Sequence, residues 1–104
     1  MTTTPELVHI SRRFPVGVEL HGSGANFRVW AESHQSATVV IEDGTGGVLR
    51  EVPLSSEGDG YFSALVPAVV PGTLYRYRLD AGPSRLPDPA SRAQPSGPHG
   101  PSMV

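Results

Sequence analysis

The side chains of this sequence that could move a proton, attack a carbonyl or hold a metal are ten carboxylates, four histidines and a scatter of serines. Paired acid/base chemistry needs two carboxyl groups flanking one bond, roughly 5–9.5 Å apart. Most acids here fall at strand ends or in turns, where solvated acids sit. Glu57 and Asp59 are close in sequence, but their glycine loop aims them at solvent. The histidines, His9, His21, His34 and His99, show no i, i+2 or i, i+4 spacing, so no metal site is expected. His21-Gly22-Ser23-Gly24-Ala25 is one residue away from a Gly-x-Ser-x-Gly nucleophile elbow. Gly22-Ser23-Gly24 and Gly44-Thr45-Gly46-Gly47 lack the third glycine and the following helix of a dinucleotide loop, and hairpin turns explain both. Cysteine is absent, which excludes disulfides, thiolate nucleophiles and zinc–thiolate sites. Lysine is absent too, so Schiff-base chemistry and a P-loop lysine are excluded. No catalytic residue, cofactor or metal is expected in this chain.

One feature rises above that background. Trp30 is the single tryptophan, and the alternation of Asn26-Phe27-Arg28-Val29-Trp30-Ala31 puts it on the polar side of a strand beside Arg28. Phe27, Val29 and Ala31 share the other side. Leu74-Tyr75-Arg76-Tyr77-Arg78-Leu79 alternates as sharply, so Arg76 and Arg78 lie on an outward face too. A tryptophan amid arginines on a sheet exterior stacks on a sugar ring, packs on a partner protein, or simply lies under an arginine.

The elements that must carry these residues are short strands. Apolar runs begin at Phe14, Asn26, Ala37, Val48, Tyr61 and Thr73, separated by turn signals about every 8–12 residues. The proline of Phe14-Pro15-Val16 marks a strand start or an edge. Asp43 to Gly47 is a hairpin signal, and Ser55 to Gly60 reads as a loop. No stretch shows helical periodicity with caps. The expectation is an all-β, immunoglobulin-like sandwich of six to seven antiparallel strands. Its parts are an N-terminal arm over 1–11, the sandwich over 12–80, and a proline-rich strap over 81–104. The strap holds six of the eleven prolines and little apolar bulk, so it is expected to be mobile from about Gly82 onward, or ordered only by neighbouring molecules. It ends without the look of a finished domain, and the chain is expected to continue.

Length and charge bound the function. At 104 residues the chain is one domain at most, far short of the roughly 250 residues of a (β/α)₈ barrel. A net charge of −2 argues against a nucleic-acid partner. No apolar run approaches the roughly 20 residues of a membrane helix, and no secretory signal is visible. A soluble, cytoplasmic protein with no membrane partner is the expectation.

Phe27-Arg28-Val29-Trp30-Ala31 after its glycine turn, together with Gly72-Thr73-Leu74-Tyr75-Arg76-Tyr77-Arg78-Leu79-Asp80, resembles the N-terminal module of the α-amylase superfamily. These are early-set, immunoglobulin-like domains classed as carbohydrate-binding module family 48, which precede the barrel in isoamylases and branching enzymes. Arg12-Arg13-Phe14-Pro15-Val16-Gly17 at the start resembles the maltooligosyltrehalose trehalohydrolase family of glycoside hydrolase family 13. So do Leu86-Pro87-Asp88-Pro89-Ala90-Ser91-Arg92-Ala93-Gln94-Pro95 and Gly97-Pro98-His99-Gly100-Pro101-Ser102 at the end. The resemblance spans about residues 12–104, with Glu32 standing where the family usually has proline.

That resemblance implies a parent enzyme that hydrolyses the α-1,4-glucosidic bond next to a terminal trehalose unit and releases trehalose. The family's catalytic carboxylates sit on the barrel, and none maps onto a residue here. The implied role is a non-catalytic domain that packs on the barrel, its partner, and shapes the substrate cleft. Trp30, Arg28, Arg76 and Arg78 are then the candidate interface or sugar contacts. Asp88, Pro89 and Arg92 are the candidate strap to the barrel. Two alternatives stand beside this: an independent module for α-glucan or maltooligosaccharide, and a generic immunoglobulin-like protein-interaction domain. The single tryptophan makes any glucan binding weak.

Overall fold

In the computed structural model the residues described are 15–80, 82, 84–86, 88, 89 and 101–104. They form β1 (Gly17–His21), β2 (Gly24–Trp30), β3 (Ala37–Glu42), β4 (Val48–Pro53), β5 (Ser55–Ser56), β6 (Tyr61–Pro67), β7 (Leu74–Leu79) and β8 (Ser102–Met103). All pairings are antiparallel. One sheet has the order β1-β2-β6-β5 and the other β4-β3-β7-β8, giving the expected all-β sandwich.

The core lies between the sheets and is made by alternation. Ala25, Phe27 and Val29 of β2 and Phe62 and Val66 of β6 face Val39 and Ile41 of β3 and Tyr75 and Tyr77 of β7. Phe27 meets Tyr75 edge-on, with ring centroids 5.1 Å apart, and Tyr75 meets Tyr77 in the same way at 5.8 Å. Such T-shaped contacts place a ring's positive edge on its neighbour's negative face. The β3–β4 hairpin is fixed by Asp43, whose Oδ1 accepts from the Thr45 and Gly47 backbone N–H groups and from the Thr45 hydroxyl. A register shift between Ile41 and Glu42 accompanies this turn.

Two departures from the sequence reading stand out. Ser55–Ser56, expected as loop, pairs with Ser63 and Phe62 as β5 and lengthens the first sheet. The larger correction is the tail: its described part packs on the sandwich itself rather than awaiting a neighbour. Leu86 exchanges backbone hydrogen bonds with Tyr77, and β8 pairs with Leu74 and Tyr75. Val104 donates to the Thr73 carbonyl and accepts from the Gly72 N–H. The cause is Tyr75. Its side chain is fully buried, and a buried phenol needs a partner. Asp88 supplies it, accepting from the Tyr75 hydroxyl at 2.6 Å, while the Asp88 N–H donates to the Ser102 hydroxyl at 3.0 Å.

Replacing Asp88 with Ala removes that acceptor from a closed site. It is expected to lower unfolding free energy by about 1–3 kcal/mol in a denaturant titration. An unchanged midpoint would mean that the tail is no part of the fold. Phe27→Ala, at the centre of the core, is expected to cost more, about 3–5 kcal/mol.

Candidate functional site

Because β2 alternates, Arg28 and Trp30 project from the outer face of the first sheet. Trp30 is 54% exposed and stands opposite Tyr61 of β6. Tyr61 is therefore outward as well. Arg28 lies flat on it, with the guanidinium carbon 3.8 Å from the ring centroid. The same guanidinium is held on three sides. Its Nε donates to Glu57 Oε2 at 3.0 Å, Nη2 to Glu57 Oε1 at 2.7 Å, and Nη1 to the Pro15 carbonyl at 2.7 Å. Glu57, expected to face solvent, thus folds back onto the sheet, and it also accepts from the Ser63 hydroxyl at 2.6 Å. The hydrogen bond from Arg28 to Glu57 raises the pKa of an already permanent cation. Arg28 is a structural clamp, and its donors, both Glu57 oxygens and the Ser63 hydroxyl are engaged with one another.

Trp30 is positioned by two loops. Gly60 follows the β5–β6 turn at φ +94°, and a Cβ placed there would lie 2.9 Å from Trp30 Nε1. The indole rests where only glycine leaves room. On the other side, Ala31 donates to the Gly60 carbonyl at 2.7 Å. The 31–36 loop is stapled to the end of β7 by Asp80, a non-glycine residue at φ 54°. Asp80 Oδ1 accepts from the Gln35 and Ser36 N–H groups, and Oδ2 lies 2.6 Å from His34 Nδ1. Above all the His34 hydrogen bond, then those from the backbone, holds the Asp80 carboxyl below the usual carboxylate range.

Arg76 and Arg78 also face outward, but from the second sheet. The four sequence candidates therefore occupy two opposite faces of the sandwich, Trp30 with Arg28 on one and Arg76 with Arg78 on the other. Arg78 pairs with Glu51 of β4. Arg76 Nε lies 3.5 Å from Glu42 Oε2, an oxygen that also accepts from Arg85 Nη1 at 3.1 Å. Of the strap candidates, Asp88 is spent inside the sandwich, Pro89 is exposed in a turn, and Arg92 lies outside the described residues. Glu42, Glu51, Glu57, Asp43, Asp80 and Asp88 each hold an arginine, a turn, a loop or a buried hydroxyl. Among the described residues no three His, Asp or Glu side chains are grouped to hold a metal.

Sequence reasoning passed over Tyr61, Gly60, Glu57 and Asp80 as site residues. Gly58-Asp59-Gly60 ahead of an aromatic strand was a usable signal for a tight turn. The reach of Asp80 back across 44 residues to Ser36 had no local signal.

The sequence profile described as carbohydrate-binding module 48 (isoamylase N-terminal domain) matches residues 15–90. The chain is 34% identical over 88 residues to malto-oligosyltrehalose trehalohydrolase of Saccharolobus solfataricus, covering 85% of this chain and 15% of that protein. It thus spans under a sixth of that relative's length. A Salmonella typhimurium structure of proposed alpha amylase identity superposes at a TM-score of 0.71 with 36% identity, over 86% of this chain and 14% of the other. A Paenibacillus barengoltzii pullulanase, solved with maltotetraose, superposes at 0.76 with 20% identity, over 95% and 16%; at that identity the likeness is one of fold.

The Asp80 staple predicts a pH dependence. A carboxyl whose pKa is depressed in the folded state stabilises that state above its unfolded pKa of about 3.9, and the stabilisation is lost as pH falls through the lower folded value. The native chain should therefore lose stability as the pH drops below about 4. Asp80→Asn should show a shallower acid slope in unfolding curves. Identical slopes would remove the staple from the account.

Proposed function

The chain belongs to the carbohydrate-binding module 48 family, and on that premise we propose that it is the non-catalytic N-terminal accessory domain of a maltooligosyltrehalose trehalohydrolase. The observation that carries this is the 34% identity to the Saccharolobus solfataricus trehalohydrolase over 85% of the chain. The parent reaction is hydrolysis of the α-1,4-glucosidic bond next to the terminal trehalose unit. The carboxylates of the sandwich support the non-catalytic reading. A catalytic pair must be free to exchange protons and to approach substrate. Here Glu57 is locked onto Arg28 and Ser63, Asp88 onto Tyr75, and Asp43 into its own turn.

Within that role the outer face of the first sheet is the docking face for the catalytic domain, helping to shape the substrate cleft. A sugar site combines a stacking ring with convergent, unspent polar groups. Beside Trp30 the three donating nitrogens of Arg28 are committed, both oxygens of Glu57 accept, and Ser63 already donates. What the face offers a partner is exposed indole and the 47%-exposed Leu65 beside a neutralised ion pair. That composition suits a protein surface, where tryptophan is an enriched anchor. A second reading, an independent α-glucan module, is favoured by one observation: more than half of the Trp30 surface is open.

Trp30→Ala separates the roles. In the isolated chain the exposed ring is expected to contribute about 1 kcal/mol or less to stability. In the trehalohydrolase that carries the domain, loss of an interface anchor is expected to cost about 2–4 kcal/mol, read as a lowered midpoint for separation of the two domains. Equal, small effects in both proteins would sink the docking role of this face.

A further inference from the structure

Among the described residues, the outer face of the second sheet holds arginines that are unequally matched by acceptors. Arg78 is matched by Glu51, but Arg76 and Arg85 share the single carboxylate of Glu42. That carboxylate is buried, with 1% of its side chain exposed, so its position is fixed by the sheet. Arg85 makes proper hydrogen bonds, from Nη1 to Glu42 Oε2 at 3.1 Å and from Nη2 to the Gly46 carbonyl at 3.3 Å. Arg76 does not. Its Nε is buried without a hydrogen-bond acceptor, 3.5 Å from an oxygen that Arg85 already uses. No described residue accepts from its two terminal nitrogens, and the side chain is 24% exposed, so those donors are open to solvent on one side. The Asp43 carboxylate accepts from three donors of its own turn and hydrogen-bonds neither Arg76 nor Arg85. A guanidinium whose Nε is buried without an acceptor is uncommon, because that donor loses water without gaining a partner. Two guanidiniums also share one contacted carboxylate, so the terminal donors of Arg76 are left for a bound anion to accept from.

We propose that Arg76 and Arg85 bind an oxyanion, a phosphate or carboxylate group, on the outer face of the second sheet. The terminal nitrogens of Arg76 supply a fork of donors, and Arg85 supplies the second charge from across Glu42. The pair lies on the opposite side of the sandwich from Trp30 and does not depend on the docking face or on the identity of the parent enzyme. Two sources fit the chemistry: a small phosphate-bearing molecule, or an acidic side chain of a polypeptide laid across the sheet.

The 104-residue chain, labelled with nitrogen-15, is titrated with inorganic phosphate and separately with acetate, ionic strength being held with sodium chloride. The arginine Nε–Hε resonances are followed by NMR. The expected result is a saturable shift at Arg76 and Arg85 with a Kd on the order of 1–10 mM, as suits a few charge-assisted hydrogen bonds at a half-exposed site. Arg78 should not respond. Arg76→Gln should weaken the response at Arg85 about tenfold or more, whereas Arg78→Gln should leave it in place. Phosphate preferred over acetate by more than about fivefold assigns a phosphate group, and a smaller preference assigns an acidic side chain. A shift that never saturates, one that chloride alone reproduces, or one unchanged in Arg76→Gln would overturn the proposal.

Discussion

The contact between Phe27 and Tyr75 is the constraint from which the rest follows. It joins the two sheets at their centre, one ring from β2 and one from β7. A strand's side chains alternate, so fixing Phe27 inward sends Arg28 and Trp30 outward, and fixing Tyr75 and Tyr77 inward sends Arg76 and Arg78 outward. The outward sets leave from opposite sheets and share no surface. The same burial brings a phenolic hydroxyl into the interior. Asp88 meets it, and with Ser102 and the β8 ladder this turns a proline-rich tail into the closing edge of the second sheet. Along Leu74, Tyr75 and Tyr77 the edge of β7 is thereby paired within the chain.

Much of this was legible because alternation is a local signal. The strands from Ala37, Tyr61 and Leu74 and the inward set Phe27, Val29, Tyr75 and Tyr77 follow from period two alone. Alternation tells which side of its own strand a residue takes; it does not say which sheet the strand joins. For that reason Trp30, Arg28, Arg76 and Arg78 read as kindred in the sequence and stand apart in space. The tail failed for a related reason. Composition weighs Ser102-Met103-Val104 by what it buries alone, and its order comes from partners 14 to 31 residues away, in Asp88 and Thr73. Glu57 was misread because a glycine loop usually exposes its acids, whereas here the arginine across the strand pulls the carboxylate back.

The two outer faces differ in what they leave available. On the first, the charge pair beside Trp30 is consumed locally: Arg28 closes on Glu57 and Glu57 on Ser63, and indole and leucine stay exposed. On the second, Arg76 and Arg85 share the Glu42 carboxylate, and the Arg76 Nε is left without an acceptor. With no lysine in the chain, every cation is a planar fork that can lie on a ring or bridge a carboxylate. Arg28 does both at once, over Tyr61 and against Glu57, and holds the first face rigid for whatever docks there. Binding to a surface so prearranged costs little ordering entropy.

The account turns on Trp30 meeting protein rather than sugar, and Trp30 is its own probe. Titrating the isolated chain with maltooligosaccharides while following tryptophan fluorescence tests this most directly. With Arg28, Glu57 and Ser63 engaged beside the indole, no saturable change is expected up to millimolar sugar. A saturable change, mapped by chemical shifts to Trp30 and Tyr61, would contradict it and make this face a glucan-binding platform.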